Sequence, residues 1–162
     1  MSVRRLARDA LLTALALILF TIEAQLPAPV PVPGVKLGLA NLVTVWAMFA
    51  LGPGDAGRIL LGRILLGSLF APSPSVLLYS AAGGGACYVL TLGLRRVVTK
   101  KQIWVCGVLG ALAHNMGQLS MAVLVTNTPG LWAYLPVLGV SAMLTGLFTG
   151  LCAQFLYART IG

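Results

Sequence analysis

The chain has 162 residues, of which 59% are apolar and only 9% are charged, and its mean hydropathy is +0.96. A domain of this size cannot bury so much apolar surface in one water-surrounded core, which excludes a soluble globular protein and predicts an integral membrane protein. The net charge of +8 would favour nucleic acid as a partner of a soluble protein. In a membrane protein it is expected from basic residues that flank helices on the cytoplasmic side, so we predict no nucleic-acid partner.

The apolar stretches predict helices, because segments such as 11–20 and 141–150 lack the alternation of a membrane β-barrel. We therefore predict an all-α fold with six transmembrane helices in one domain, 1–162. Proline, glycine or basic residues separate the helices at 27–34, 52–54, 72–74, 95–101 and 127–130. The predicted helices cover about 6–26, 36–51, 55–70, 75–94, 103–126 and 131–157.

The distribution of basic residues predicts the orientation. With six helices, both termini lie on one side together with the loops at 52–57 and 95–101, and the opposite side has only Lys36. The positive-inside rule then places both termini in the cytoplasm, in a multi-pass protein of the bacterial cytoplasmic (inner) membrane. The basic residues on that side are Arg4, Arg5, Arg8, Arg58, Arg95, Arg96, Lys100, Lys101 and Arg159.

Polar residues within membrane helices are rare and often functional. His114 and Gln118 lie four residues apart on one face of helix 5, with Asn115 adjacent. Arg63 lies about two turns inside helix 3. We predict a substrate-binding site formed by these residues and by three more from helices 1 and 2, namely Glu23, Lys36 and Asn41.

Each of these residues also has a structural explanation. Lys36 could extend to the outer headgroups, and a lone histidine such as His114 is more often packed and hydrogen-bonded than a ligand. An unpaired arginine near the middle of the membrane costs several kcal/mol. Arg63 therefore either pairs with Glu23 or faces a ligand, and the two alternatives are equally weighted. The proline-rich segment 27–34 is either a rigid connector or a lid over a cavity.

Several functional classes are excluded by what the sequence lacks. It has no GxxxxGK[ST] nucleotide loop, and its three acidic residues form no pair for acid–base catalysis or magnesium binding. Cys87, Cys106 and Cys152 are dispersed and form no CxxC motif. We expect a protein that is not an enzyme and has no cofactor or metal. Small residues at four-residue spacing, such as Ala10 and Ala14, favour close helix packing, within the chain or with a partner.

Two segments, PGVKLGLANLVT (33–44) and LGALAHNMGQL (109–119), resemble the Gx transporter family, also called heptaprenyl diphosphate synthase component I. Segments 60–70, 80–90 and 134–154 fit the same pattern, so the resemblance covers nearly the whole chain. This family is similar in turn to the substrate-binding S components of energy-coupling factor transporters. In those proteins an AxxxA motif in helix 1 contacts the coupling subunit, and Ala10 and Ala14 match it here.

The resemblance implies a six-helix S-component-like bundle that binds a small molecule and works with a coupling membrane subunit and separate ATPase subunits. The family name implies isoprenoid chemistry, and hence an isoprenoid- or quinone-related solute. Prenyl diphosphate synthases hold magnesium with DDxxD motifs, which this chain lacks, so it cannot be the catalytic subunit. The alternative is a non-catalytic scaffold subunit of a prenyl diphosphate synthase or of a flavin-linked electron-transfer complex. A channel is the weakest hypothesis, because no ring of polar positions is visible.

Overall fold

The protein is all-helical over residues 2–25, 38–71 and 73–161, which are the residues that the computed structural model describes. No strand occurs in these ranges, and the prediction of six helices in an all-α chain is confirmed. The helices are α1 (Val3–Glu23), α2 (Asn41–Ala50), α3 (Pro53–Leu69), α4 (Ser75–Leu94), α5 (Ile103–Thr126) and α6 (Leu135–Thr160), with a 3₁₀-helix at Pro129–Tyr134 before α6.

The helix bounds differ from the prediction in α1, α2, α3 and α6. Helix α1 covers Val3–Glu23 rather than 6–26, and α6 covers Leu135–Thr160 rather than 131–157, because a 3₁₀-helix occupies Pro129–Tyr134. Residues 38–40 are not helical, although the prediction starts helix 2 at Lys36. Gly38 has a φ of +88°, a left-handed conformation that interrupts a right-handed helix and that suits glycine. Helix α3 starts two residues earlier than predicted, at Pro53. Proline is favourable in the first turn because the N–H that it lacks would have no partner there.

Contacts between the helices define an up-and-down bundle in which α1 and α3 are parallel. Asp9 near the start of α1 lies with Arg58 near the start of α3. Further along, a Cβ placed on Gly67 of α3 would lie 3.1 Å from Phe20 of α1. Helices α3 and α4 are antiparallel, since Tyr88 late in α4 donates a hydrogen bond to the carbonyl of Pro53 at the start of α3 (2.9 Å).

The antiparallel pair α5 and α6 packs backbone against backbone. A Cβ placed on Gly107 would lie 2.4 Å from the Cα of Gly150, and one on Gly146 would lie 2.8 Å from the carbonyl oxygen of Gly107. No side chain fits at these three positions. Such glycine-mediated packing is typical of helices in lipid, where apolar burial does not drive helices together.

Among the described residues, three helical segments are long and apolar enough to cross a membrane, namely 75–94, 103–126 and 129–160. Helix α2 has 10 residues, which corresponds to about 15 Å, or roughly half of a hydrocarbon core. Large apolar side chains cover the outside of the bundle, for example Leu11 (73% exposed), Leu124 (74%) and Phe148 (62%). An apolar exterior of this kind indicates a surface that faces lipid.

Candidate functional site

Polar side chains converge inside the bundle, around the end of α1 and the middle of α5. We call Glu23, Asn41, Arg63, His114 and Gln118 the inner polar cluster. Each of the five is at most 4% exposed. The cluster therefore contains a carboxylate, a guanidinium, an imidazole and two amides in a setting without access to bulk water.

Glu23, at the end of α1, accepts hydrogen bonds from the backbone N–H groups that precede α2. Its Oε1 accepts from Gly38 N and its Oε2 accepts from Leu39 N at 3.0 Å. N–H groups at a helix start have no partner within the helix, and an acidic side chain there is favourable. Glu23 thus fastens the start of α2 to the end of α1.

Arg63 of α3 is 3% exposed, and its guanidinium lies over the ring of Phe20, 5.7 Å from the ring centroid. Glu23 is near enough to act on Arg63 electrostatically. Nevertheless, the Nε and Nη2 atoms of Arg63 have no hydrogen-bond partner in the described part of the chain. Buried donors of a charged group are almost always satisfied in proteins, so these two need a partner that the described residues do not supply.

Glycines bring the α5 side chains against α4 and α2. A Cβ on Gly83 would lie 2.6 Å from Gln118 Cγ and 2.9 Å from His114 Nδ1, and one on Gly38 would lie 3.1 Å from His114 Cδ2. His114 therefore lies between the backbones of α4 and the turn before α2. Its position depends on the absence of side chains at both glycines.

Glycines also bring Arg63 and Asn41 close to the other residues of the cluster. A Cβ on Gly84, the residue after Gly83, would lie 3.0 Å from Arg63 Nη2. At the other side of His114, Asn41 Nδ2 would lie 2.9 Å from a Cβ on Gly38. Both Asn41 Nδ2 and Oδ1 lack a hydrogen-bond partner among the described residues. The cluster thus combines an arginine and an asparagine that both have unused hydrogen-bonding capacity.

Asn115 points away from this cluster, toward α6. Its Nδ2 donates a hydrogen bond to the carbonyl oxygen of Leu138 at 3.1 Å. Adjacent helical residues project about 100° apart, which explains why His114 and Asn115 contact different helices. The structure does not bring Asn115 together with Arg63, although the sequence analysis groups them.

The remaining functional predictions concern Lys36, the proline-rich segment and two alanines of α1. Lys36 and the proline-rich segment 27–34 are outside the described residues. Ala10 and Ala14 are both exposed on the outer face of α1, opposite the buried side that includes Asp9 and Thr13. Neither alanine is used in packing within the described bundle, so this face is free for a partner or for lipid.

A second group of charges, which the sequence analysis did not predict, lies at the end of the bundle near the N terminus. We call Arg5, Arg8, Asp9, Asp55 and Arg58 the terminal ion cluster. Arg8 and Arg58 each pair with both aspartates, and Arg5 Nε lies 3.5 Å from Asp55 Oδ2. The aspartates are buried (5% and 3% exposed), whereas the arginine side chains are 38–54% exposed.

The glycines 38, 83 and 84 were also missed as parts of the site. The run of three glycines within AAGGGA (81–86) was the available signal, because glycine is costly inside a helix unless something approaches closely. The four-residue spacing of small residues, which includes Ser80 and Gly84, favoured helix–helix packing and did not single out Gly38 or Gly83. It did not show that side chains with unused donors lie against them.

Three surface grooves are lined by described residues, and all three are apolar. They lie between α1, α2 and α6, between α2 and α6, and between α3 and α4. None of these three includes a residue of the inner polar cluster. Among the described residues, no group of three or more histidine, cysteine or acidic side chains is arranged to hold a metal ion.

The comparison with known proteins agrees with the resemblance in the sequence. The family model for heptaprenyl diphosphate synthase component I matches residues 12–156. The chain belongs to this family. No curated protein and no solved structure matches the chain significantly. The family name describes one component of a synthase, which agrees with a chain that works with other proteins.

Proposed function

We propose that this chain is a membrane substrate-binding subunit that resembles the S components of energy-coupling factor transporters and moves a small organic solute. The observation that carries the proposal is the inner polar cluster, in which Arg63 and Asn41 are buried with unused hydrogen-bonding atoms. An intramembrane charge is costly and typically serves a pathway or a ligand. The solute that we propose is isoprenoid- or quinone-related, in keeping with the family name.

A ligand explains the cluster better than a purely structural role does. Glu23 is hydrogen-bonded to the backbone of Gly38 and Leu39 and is near enough to act on Arg63 electrostatically, but this interaction leaves two arginine donors unused among the described residues. The Nε and Nη2 atoms of Arg63 are without a partner in the described ranges. A ligand that accepts from these atoms would offset the cost of burying the charge. Because the cluster is closed to solvent, binding requires the helices or their connections to move.

The proposal includes the setting of the protein. All six helices contribute to a bundle in the cytoplasmic membrane of a bacterium, with both termini in the cytoplasm. The contacts of Asp9 with Arg58 and of Lys100 with Tyr157 support this, since they connect the chain termini to basic residues at loop ends. The positive-inside rule favours the cytoplasm for such basic regions. Energy would come from a coupling membrane subunit and ATPase subunits.

The exposed face of α1 is the proposed contact for the coupling subunit. Replacing Ala14 with leucine should reduce co-purification of a coupling subunit, because a larger side chain prevents close helix approach. Ala81→Leu on α4 is the matched control, since Ala81 is also exposed but lies on another helix. Equal loss of the partner in both variants would contradict a specific role for α1.

The decisive test of the function is to purify the tagged protein from its native membrane in lipid nanodiscs. Native mass spectrometry should then detect one bound small molecule, and proteomics should detect ATPase subunits. A preparation with no bound molecule and no ATPase subunit would overturn the proposal.

The family name favours a second candidate, a non-catalytic scaffold subunit of a prenyl diphosphate synthase. A scaffold subunit of a flavin-linked electron-transfer complex is a less favoured form of this hypothesis. The scaffold hypothesis predicts stable co-purification of a synthase or a redox protein and no ligand of its own. The same purification therefore separates the two candidates.

A further inference from the structure

We propose that the ligand of the inner polar cluster carries a single carboxylate, which binds the Nε–Nη2 edge of Arg63. This inference rests on the proposed function and adds the chemical class of the solute. It distinguishes a monocarboxylate from a prenyl diphosphate, which the family name would otherwise suggest.

The first argument is the geometry of the unused donors. The two Arg63 atoms without a partner among the described residues are Nε and Nη2. These atoms carry two parallel N–H bonds on one edge of the planar guanidinium. A carboxylate accepts such a pair with its two oxygens in a bidentate arrangement, which is the strongest geometry for an arginine–carboxylate pair.

The second argument is the charge available inside the bundle. The inner polar cluster contains one permanent cation, Arg63, and one carboxylate, Glu23. Glu23 is engaged by the backbone N–H groups of Gly38 and Leu39. A single carboxylate on a ligand would pair with Arg63 while the backbone N–H groups hold Glu23, and the cluster would then carry one net negative charge. A diphosphate carries at least two charges and would leave a larger excess buried without compensation.

The usual means of neutralising a diphosphate are also missing from the described residues. Proteins hold diphosphates with several cations or with magnesium bound to carboxylates. Of the three acidic residues in the chain, Asp9 and Asp55 are paired with arginines at the other end of α1 and α3. No acidic group beyond Glu23 therefore remains for a magnesium ion.

Asn41 indicates a second polar group on the same ligand. Its amide offers both a donor and an acceptor, and neither is used within the described ranges. Thr44, one turn further along α2, is 2% exposed and likewise has an unused hydroxyl. A hydroxyl or amide on the ligand would satisfy Asn41, because such groups both donate and accept. The solute is therefore a carboxylic acid with at least one neutral polar substituent.

The test compares wild-type protein with Arg63→Lys, Arg63→Gln and the exposed-site control Arg96→Gln, all in lipid nanodiscs. Small molecules are extracted from equal amounts of folded protein and identified by mass spectrometry. Wild type and Arg96→Gln should retain an acid that contains no phosphorus. Arg63→Lys should retain about a tenth as much or less, because lysine keeps the charge but loses the paired donors.

Head-group probes provide a second measurement on protein stripped of its ligand. Acetate at high millimolar concentration should raise the thermal unfolding midpoint of wild type but not that of Arg63→Lys. Pyrophosphate at equal ionic strength should not raise the midpoint of wild type. Three outcomes would overturn the carboxylate assignment. The first is a ligand that contains phosphorus, and the second is full ligand retention by Arg63→Lys. The third is an acetate effect on the unfolding midpoint that is absent or that pyrophosphate matches. Absence of any ligand from wild type would instead overturn the proposed function.

Discussion

The bundle contains two groups of buried charges that differ in how completely they are paired. In the terminal ion cluster, Asp9 and Asp55 each accept from two arginines, and those arginines also reach solvent. In the inner polar cluster, Arg63 is 3% exposed and retains two donors with no partner in the described part of the chain. Both groups involve α1 and α3, so the difference does not come from the helices that carry them.

This contrast separates a structural role from a binding role. A cluster whose hydrogen bonds are complete can only stabilise the helices that it connects. A buried cluster with free donors is less stable than an apolar replacement would be, unless something binds to it. The two groups should therefore respond in opposite directions to the removal of a charge.

The largest effect is expected from Asp55→Asn in the terminal ion cluster. This substitution leaves Arg5, Arg8 and Arg58 with Asp9 as the remaining carboxylate. Breaking a buried pair typically costs 3–5 kcal/mol, and the partial exposure of the arginines reduces our expectation to about 2 kcal/mol. Unfolding of the purified protein in detergent measures the loss. A smaller loss at high salt is expected, and an unchanged stability would contradict a structural role.

Arg63→Leu in the inner polar cluster should have the opposite effect on stability. Removing a buried charge with unused donors should stabilise the ligand-free protein by about 1 kcal/mol. The same variant should lose its ligand while still inserting and purifying. Thermal unfolding and mass spectrometry on the same preparation measure both effects. A clear loss of stability without ligand would show that Arg63 is structurally paired.

Gly84→Ala tests the position of the Arg63 guanidinium without removing it. The new Cβ would lie 3.0 Å from both Arg63 Nη2 and Leu60 Cδ1, so the guanidinium should shift and ligand retention should fall about tenfold, or about 1.4 kcal/mol. Gly85→Ala is a close control, because no atom lies within 4 Å of its Cβ position. Both variants gain similar helix propensity. Equal retention in the two would argue against a site at Gly84.

The smallest effect is expected from Asn115→Ala. Loss of the hydrogen bond from Asn115 to Leu138 should reduce stability by about 1 kcal/mol and leave ligand retention unchanged. Asn41→Ala should reduce ligand retention without a loss of stability, because the Asn41 amide has no partner in the described ranges. Measuring both quantities for the pair determines which asparagine belongs to the binding site. Loss of ligand in Asn115→Ala would extend the site toward α6.

The existence of six helices was predictable because strong breaks separate the apolar runs of the sequence. The bounds of α4 and α5 match the prediction, since Pro74 and the basic loop at 95–101 mark their ends. The start of α2 was predicted too early, because the left-handed conformation of Gly38 is a backbone property that hydropathy does not reveal. Within the described ranges, three segments are apolar and long enough to be identified as membrane spans from composition and length alone.

The sequence analysis selected candidate site residues by their type, but it did not predict which of them lie in contact. Rarity of polar residues in lipid was enough to single out Arg63 and His114. Contacts between residues depend on the orientation of each helix about its axis. In this bundle Asn115 faces Leu138, and Asp55 is paired with arginines near the N terminus. The sequence analysis used those arginines only to predict the orientation of the protein in the membrane. Their pairing with two buried aspartates is a tertiary feature that no local pattern encodes.

The carboxylate of Glu23 has a consequence for how the polypeptide holds together around residues 26–37. It accepts hydrogen bonds from the backbone N–H groups of Gly38 and Leu39, and these bonds connect the last turn of α1 to the chain beyond residue 37. A single backbone cleavage within 26–37 would therefore leave the severed first helix attached to the remainder. Because α1 also packs against α3 and shares the terminal ion cluster with it, Glu23→Ala should lower the thermal unfolding midpoint of the cleaved protein rather than release the first helix.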